Sequence, residues 1–202
     1  MPARQWCRTE LIFTNYNHGI TAHDPGTGKL LWQADVFDRS HIESSIASPV
    51  IAGQLVLATS GWLGHGNEVI AVRPPRPGEG NRATQVYRIA RGAPLCTTPL
   101  VTKDLLVLWS DNGIATAADA QSGKVHWQKR IGGTFYCSPI CIGDAIYNID
   151  TAGNVTALRA ATEFKVLGRC ALGDACHSTP AVAHDRLYLR TFHRLSALDR
   201  KP

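Results

Sequence analysis

Ala22-His23-Asp24-Pro25-Gly26-Thr27-Gly28-Lys29-Leu30-Leu31-Trp32 returns as Ala117-Ala118-Asp119-Ala120-Gln121-Ser122-Gly123-Lys124-Val125-His126-Trp127. Both stretches fit AxDxx[ST]GKxxW. Each residue type in that string has a physical reason to recur. Asp24 and Asp119 can accept hydrogen bonds from the amides of the turn that follows, and Gly28 and Gly123 can take the left-handed conformation that closes it. The tryptophan four residues later, Trp32 or Trp127, is large enough to cover a seam between two packed sheets. Self-similarity at a fixed period marks a repeat architecture, so the rest of the chain is read in register with these two stretches.

The register extends in both directions. Ser48-Pro49, Thr98-Pro99, Ser138-Pro139 and Thr179-Pro180 open four segments, with their prolines 50, 40 and 41 residues apart. After each opening come a few apolar residues, a turn signal and a second apolar run, as in Lys103-Asp104 before Leu105-Leu106-Val107-Leu108. This is a β-hairpin pattern. A further strand is centred on a small residue, Ala22, Ala71, Ala117, Ala157 or Ala197, and Asp111-Asn112-Gly113 and Ala152-Gly153-Asn154 supply turn positions with φ > 0. A period near forty residues with four short strands per unit predicts an all-β protein, a β-propeller of four-stranded antiparallel blades. Proline cannot donate to a sheet ladder, which suits the innermost strand of a blade, and Lys29 and Lys124 suit the outer edge. The units are expected at about 11–45, 46–95, 96–136, 137–176 and 177–202, after an extension over residues 1–10. In the second unit Arg73-Pro74-Pro75-Arg76-Pro77-Gly78-Glu79-Gly80-Asn81 replaces the tight turn and Tyr87 stands near the tryptophan position; in the fourth, Arg159 replaces the aspartate and no tryptophan follows.

The AxDxx[ST]GKxxW string resembles the tryptophan-docking motif of the pyrroloquinoline-quinone repeat family. That family includes quinoprotein dehydrogenases and the propeller lipoprotein of the outer-membrane barrel assembly machinery, and the resemblance covers nearly the whole chain. It implies a seven- or eight-bladed ring, so strand counting predicts an incomplete one: three full blades flanked by two partial ones. The chain is then expected to be part of a longer propeller, or to self-associate through open blade edges; a complete small ring is the alternative.

Composition excludes several classes. At 44% hydrophobic and 18% charged the chain can bury a sizeable core. No run of eighteen apolar residues predicts a membrane span, and the first residues lack the apolar stretch of a secretory signal. On sequence alone the chain is expected either to be cytoplasmic or to lack its true beginning, whereas the resemblance implies an extracytoplasmic parent protein. The net charge of +5 is scattered rather than gathered with stacking aromatics, so no nucleic-acid partner is expected. The GxSxG, HExxH, P-loop and dinucleotide patterns do not occur.

For function, the resemblance offers two directions. Quinoprotein dehydrogenases hold the quinone between a tryptophan and a disulfide of adjacent cysteines, with calcium on acidic and amide side chains and an aspartate base. None of this carries over, because the six cysteines, Cys7, Cys96, Cys137, Cys141, Cys170 and Cys176, include no adjacent pair and no segment matches the calcium or base motifs. No cofactor is expected; the quinone and calcium belong only to the alternative, a piece of an oxidoreductase that lacks its cofactor residues. The favoured function is a non-catalytic scaffold that binds a protein, peptide or carbohydrate through loops at one end of the ring. No catalytic residue is assigned. Tyr136 and His177, which lead into inner strands, are the ligand-facing candidates, together with Trp62 in the glycine-rich hairpin tip Gly61-Trp62-Leu63-Gly64-His65-Gly66-Asn67-Glu68. The competing reading packs Phe135 and Tyr136 between blades. Cys96, Cys137 and Cys176 just precede repeat openings and read as small core residues, with a thiol or metal cluster as the sharper alternative.

Overall fold

A computed structural model describes residues 9–38, 44–62 and 66–199. Residues 1–8, including Cys7 and most of the expected extension, and residues 63–65 of the hairpin tip lie outside the described residues. Among the described residues, eighteen strands fall into five antiparallel sheets. The first holds β1 (Leu11–Asn15), β2 (Gly19–His23) and β3 (Leu30–Ala34), and the second holds β4 (Val50–Ala52), β5 (Leu55–Ser60), β6 (Glu68–Arg73) and β7 (Thr84–Ile89). The third holds β8 (Leu100–Thr102), β9 (Leu105–Trp109), β10 (Ile114–Asp119) and β11 (Val125–Arg130). The fourth holds β12 (Ile140–Ile142), β13 (Ala145–Ile149), β14 (Asn154–Arg159) and β15 (Val166–Ala171), and the fifth holds β16 (Ala181–Ala183), β17 (Arg186–Arg190) and β18 (Leu195–Asp199). Three four-stranded sheets thus lie between two three-stranded ones.

Each sheet is a meander whose strands pair in chain order. The first strands β4, β8 and β12 approach one another across sheet boundaries, so the sheets converge at their first strands and fan out toward their last, as blades do around an axis. Four apolar clusters fill the seams between successive blades. Strands β5 and β9 are buried along their whole length because a blade covers each face, whereas β18 is exposed throughout. Val182 and Leu198 on the fifth blade and Leu11 and Phe13 on the first are accordingly exposed.

The serines and threonines of the repeat openings have a role beyond preceding proline. Ser48 N–H donates to Thr98 Oγ1 (3.4 Å), Thr98 N–H to Ser138 Oγ (2.9 Å), and Ser138 N–H to Thr179 Oγ1 (2.9 Å). A hydroxyl at this position therefore satisfies an amide of the preceding blade, tying neighbours together where they converge.

The small residues of the third strands face the tryptophans. Ala22 pairs with Trp32, Ala71 with Tyr87, Ala117 with Trp127, and Ala157 with Gly168; just after each pair the register shifts by one residue. This repeated bulge inserts Leu31, Val86, His126 or Leu167 into the outer strand and increases its twist. The register shows that Tyr87 occupies the tryptophan position of the second blade, and that a glycine fills it in the fourth.

Trp127 is nearly buried; its Nε1–H donates to Ala161 O of the fourth blade at 3.0 Å, and Phe164 meets its ring edge-on at 5.2 Å. Trp32 is enclosed at the first seam with Val56 and Val72, its Nε1–H donating to Glu10 Oε2 at 2.7 Å. Tyr87 copies Trp127 with its own chemistry, since its hydroxyl donates to Ala120 O of the third blade at 2.8 Å. Burial, reinforced by the nearby Asp119 carboxylate, pushes the phenol up to about 12, so it remains a donor at any physiological pH.

The turns between third and outer strands are alike in detail. Asp24 Oδ1 accepts from Gly26 N–H, Thr27 N–H and Thr27 Oγ1–H, and Asp119 Oδ1 accepts from Gln121 N–H, Ser122 N–H and Ser122 Oγ–H. The bonds from Ser122 hold the Asp119 carboxyl below its ordinary range. Gly28 and Gly123 have φ of +70° and +72°. They differ in surroundings: a Cβ at position 28 would meet nothing within 4 Å, whereas one at position 123 would lie 2.5 Å from the ring of Tyr87. Gly28→Ala should therefore cost only the backbone term, about 1 kcal/mol, while Gly123→Ala adds a clash with a ring held by its hydroxyl and should cost about 3 kcal/mol. Urea denaturation of the two variants measures the difference, and equal losses would rule out the Tyr87 contact as its source.

Candidate functional site

At one end of the blades, the loop between second and third strands of one blade interlocks with the linker entering the next. Phe135 N–H donates to Asp111 O, Thr151 N–H to Thr134 O, Cys176 N–H to Thr151 O, and Phe192 N–H to Ala175 O. Asp111 reaches backward with both carboxylate oxygens, accepting from Leu95 N–H at 2.6 Å and Cys96 N–H at 2.8 Å. Burial, followed by the adjacent Asp111 carboxylate, pushes the Cys96 thiol up to about 11, which leaves it a protonated, unreactive group at neutral pH.

Ile46, Cys96, Tyr136 and His177 occupy the same place in successive linkers, three residues before the proline. The preceding position holds Phe135 in the third-to-fourth linker. The two adjacent aromatics divide: Phe135 is buried against Trp109, ring centroids 5.3 Å apart, while Tyr136 is 47% exposed. Packing between blades thus accounts for Phe135 and not for Tyr136.

Tyr136 and His177 meet edge-to-face at 5.1 Å, and His177 in turn meets Phe192 at 4.9 Å. Phe192, from the loop between β17 and β18, is 58% exposed. Three rings from three separate segments thus form a continuous exposed strip. Phe192 had no signal in the sequence: the equivalent positions are Asp111 and Thr151, and only the interlocking of the loop with Ala175 carries it beside His177. Trp62, 42% exposed at its hairpin tip, has no described contact with the strip.

Next to Phe192 in the same loop, His193 donates its N–H to Asp174 at 2.9 Å, and its Nδ1 lies 3.0 Å from the same carboxylate. Hydrogen bonds from Thr191 and then His193 hold the Asp174 carboxyl well below the usual carboxylate range. By linkage, a depressed carboxylate contributes fully above its unfolded value near 4 and loses that contribution as pH falls through the lower folded value. The β17–β18 loop should therefore keep its structure from neutrality down to about pH 4 and loosen only in stronger acid. An NMR titration of the His193 amide checks this, and a midpoint at or above the ordinary aspartate value would contradict it.

Beside this end lies a cleft of about 400 Å³ lined by Gly133, Phe135, Asp150, Asn154, Arg169 and Cys170, among others. Its polar groups are mutually engaged: Asp150 accepts from Asn154, and Arg169 donates to Ile131 O at 3.1 Å. Among the described residues no group of three or more His, Cys, Asp or Glu side chains could hold a metal ion. Cys137 and Cys176, the two buried cysteines in contact, come from different linkers rather than adjacent positions.

Residues 17–164 match the family described as outer membrane protein assembly factor BamB, whose repeats are of the pyrroloquinoline-quinone type. The chain belongs to this family. BamB of Yersinia pestis is 25% identical over 122 residues, which span 60% of this chain and 30% of that protein. The crystal structure of BamB from Moraxella catarrhalis superposes with a TM-score of 0.69 over 98% of this chain and 59% of that one, at 15% identity. A quinohemoprotein alcohol dehydrogenase from Pseudomonas putida superposes with a TM-score of 0.55 at 14% identity, covering 72% of this chain and 28% of that one. These structural likenesses establish the BamB-type propeller fold, and the chain spans less than two thirds of each relative. No described helix is long and apolar enough to cross a membrane.

Proposed function

We propose that this chain is a non-catalytic propeller scaffold that holds an extended protein segment or peptide against the strip formed by Tyr136, His177 and Phe192. The observation that carries this reading is the strip itself: three rings in edge-to-face contact, two of them about half exposed, presented on two linkers and a loop pinned by backbone hydrogen bonds. Rigid aromatic rings supply large contact area at low entropic cost, which is why they dominate recognition surfaces. His177 makes edge-to-face contact with both Tyr136 and Phe192, so its imidazole serves as an aromatic platform. The Yersinia pestis relative, an outer membrane protein assembly factor by name, favours a polypeptide partner over a carbohydrate and an extracytoplasmic setting.

Probing the chain with an array of extended peptides rich in aromatic and aliphatic residues tests the reading. Tyr136→Ala combined with Phe192→Ala should weaken the bound peptides at least about tenfold, since each buried aromatic anchor contributes more than about 1 kcal/mol, with an unchanged circular dichroism spectrum. Undiminished binding by the double variant, or binding of oligosaccharides alone, would reject it. Under this proposal the chain takes neither quinone nor calcium. An absorbance shift on adding both, accompanied by dye-linked alcohol oxidation, would instead support the oxidoreductase reading.

A further inference from the structure

The seam between the fourth and fifth blades is built differently from the other three. Its apolar cluster is the smallest, and two of its five buried members are cysteines, Cys137 and Cys176, with Ile149, Val155 and Leu189 completing it. Both cysteines are fully enclosed free thiols. Their sulfurs lie 3.8 Å apart, in direct contact across the seam and 39 residues apart in sequence. Cys137 belongs to the linker entering the fourth blade and Cys176 to the linker entering the fifth, at non-equivalent repeat positions: two residues before the proline for Cys137, four for Cys176. A repeat that merely placed small hydrophobes at one recurrent site would not bring two thiols face to face.

We propose that Cys137 and Cys176 form a disulfide that staples the fourth blade to the fifth when the chain folds in a thiol-oxidising environment. With glutathione disulfide as oxidant, a thiolate of one cysteine attacks the oxidant, giving a mixed disulfide and one glutathione thiol. The second cysteine then attacks the protein sulfur of that mixed disulfide and releases a second glutathione. Two protein thiols are oxidised, one glutathione disulfide is reduced to two thiols, and the protons pass to the leaving thiolates. In the finished fold neither sulfur is accessible, and burial together with the neighbouring Cys176 pushes the Cys137 thiol up to about 12. The bond therefore forms during folding, before the seam closes, and once formed resists reduction. Closing a loop of this length constrains the unfolded chain, and the staple lies at the seam with the thinnest apolar core.

The full chain refolded in glutathione redox buffer provides the test. Trypsin leaves Cys137 with Cys141 on residues 131–159 and Cys170 with Cys176 on residues 170–186. The Cys141→Ser, Cys170→Ser double variant therefore makes the assignment unambiguous. The expected result is a cross-linked pair of these peptides after alkylation without reductant. Recovery of both as separate alkylated peptides would overturn the proposal. Thermal unfolding gives a second readout: the chain refolded in the glutathione buffer should melt roughly 10 °C above the same chain refolded with reductant, and a Cys137→Ala variant should melt alike in both. An equal Tm with and without reductant would equally overturn it. Neither readout involves the aromatic strip, so this result and the peptide-binding result stand or fall separately.

Discussion

Trp127→Ala should lower the unfolding free energy by about 3–5 kcal/mol, a large share of the total stability of a domain this size. The indole is nearly buried at the seam between the third and fourth blades, with Ala117 opposite it, Phe164 against its edge and the Ala161 carbonyl accepting its N–H. Truncation empties a volume that rigid strands on both sides cannot collapse to fill, and it leaves a fourth-blade carbonyl without its donor. Trp127→Phe keeps most of the ring while removing the N–H and should lose less than half as much. Urea denaturation of both variants, followed by far-UV circular dichroism, gives the two values; a loss below about 1 kcal/mol for the alanine variant would show that the seam does not depend on this residue.

Gly153→Ala is expected to have a comparable effect, for a different reason. Gly153 sits at φ +85° in the loop between β13 and β14, and a Cβ there would fall inside the van der Waals radius of the Asp174 carbonyl oxygen. Both atoms belong to backbone that the interlocking hydrogen bonds hold in place, among them Leu172 N–H to Gly153 O and Cys176 N–H to Thr151 O. The linker carrying Asp174, Cys176 and His177 must then shift, at a cost of about 3 kcal/mol or more. Gly132→Ala is the control: its φ is +86°, yet a Cβ there would meet nothing within 4 Å, so it should show the backbone term alone, about 1 kcal/mol. The same experiment reads the strip, since the His177 and Phe192 resonances should move in Gly153→Ala and remain in place in Gly132→Ala.

Much of the fold was legible because the turn and the tryptophan are local problems. Asp119, Ser122 and Gly123 solve a turn within five residues, and Asp24, Thr27 and Gly28 solve the same turn in similar letters. Tyr87 was harder to place, because the insertion from Arg73 to Asn81 hides the register that the pairing of Ala71 with Tyr87 restores. The glycine at 168 in place of a tryptophan was hidden in the same way, since a bulge changes the count between turn and docking position. The hydroxyls before the prolines were visible as a pattern but not as a purpose: Thr98 and Ser138 satisfy amides in the preceding blade, and a partner forty residues away leaves no local trace.

The candidate site was legible only in part. Tyr136 and His177 stood out by their place in the linkers, but nothing in the order of residues said that their rings touch. Phe192 and the contact between Cys137 and Cys176 were invisible for the same reason.

The repeated AxDxx[ST]GKxxW string, with the period near forty residues, was thus enough by itself to determine an all-β propeller, because turns and blade seams impose short-range demands that each unit must meet separately. The tertiary structure decided which side chains from different blades meet: the aromatic strip, the paired thiols and the hydroxyl relay. Those neighbours are set by how one blade packs on the next, a relation between surfaces that each repeat carries only half of.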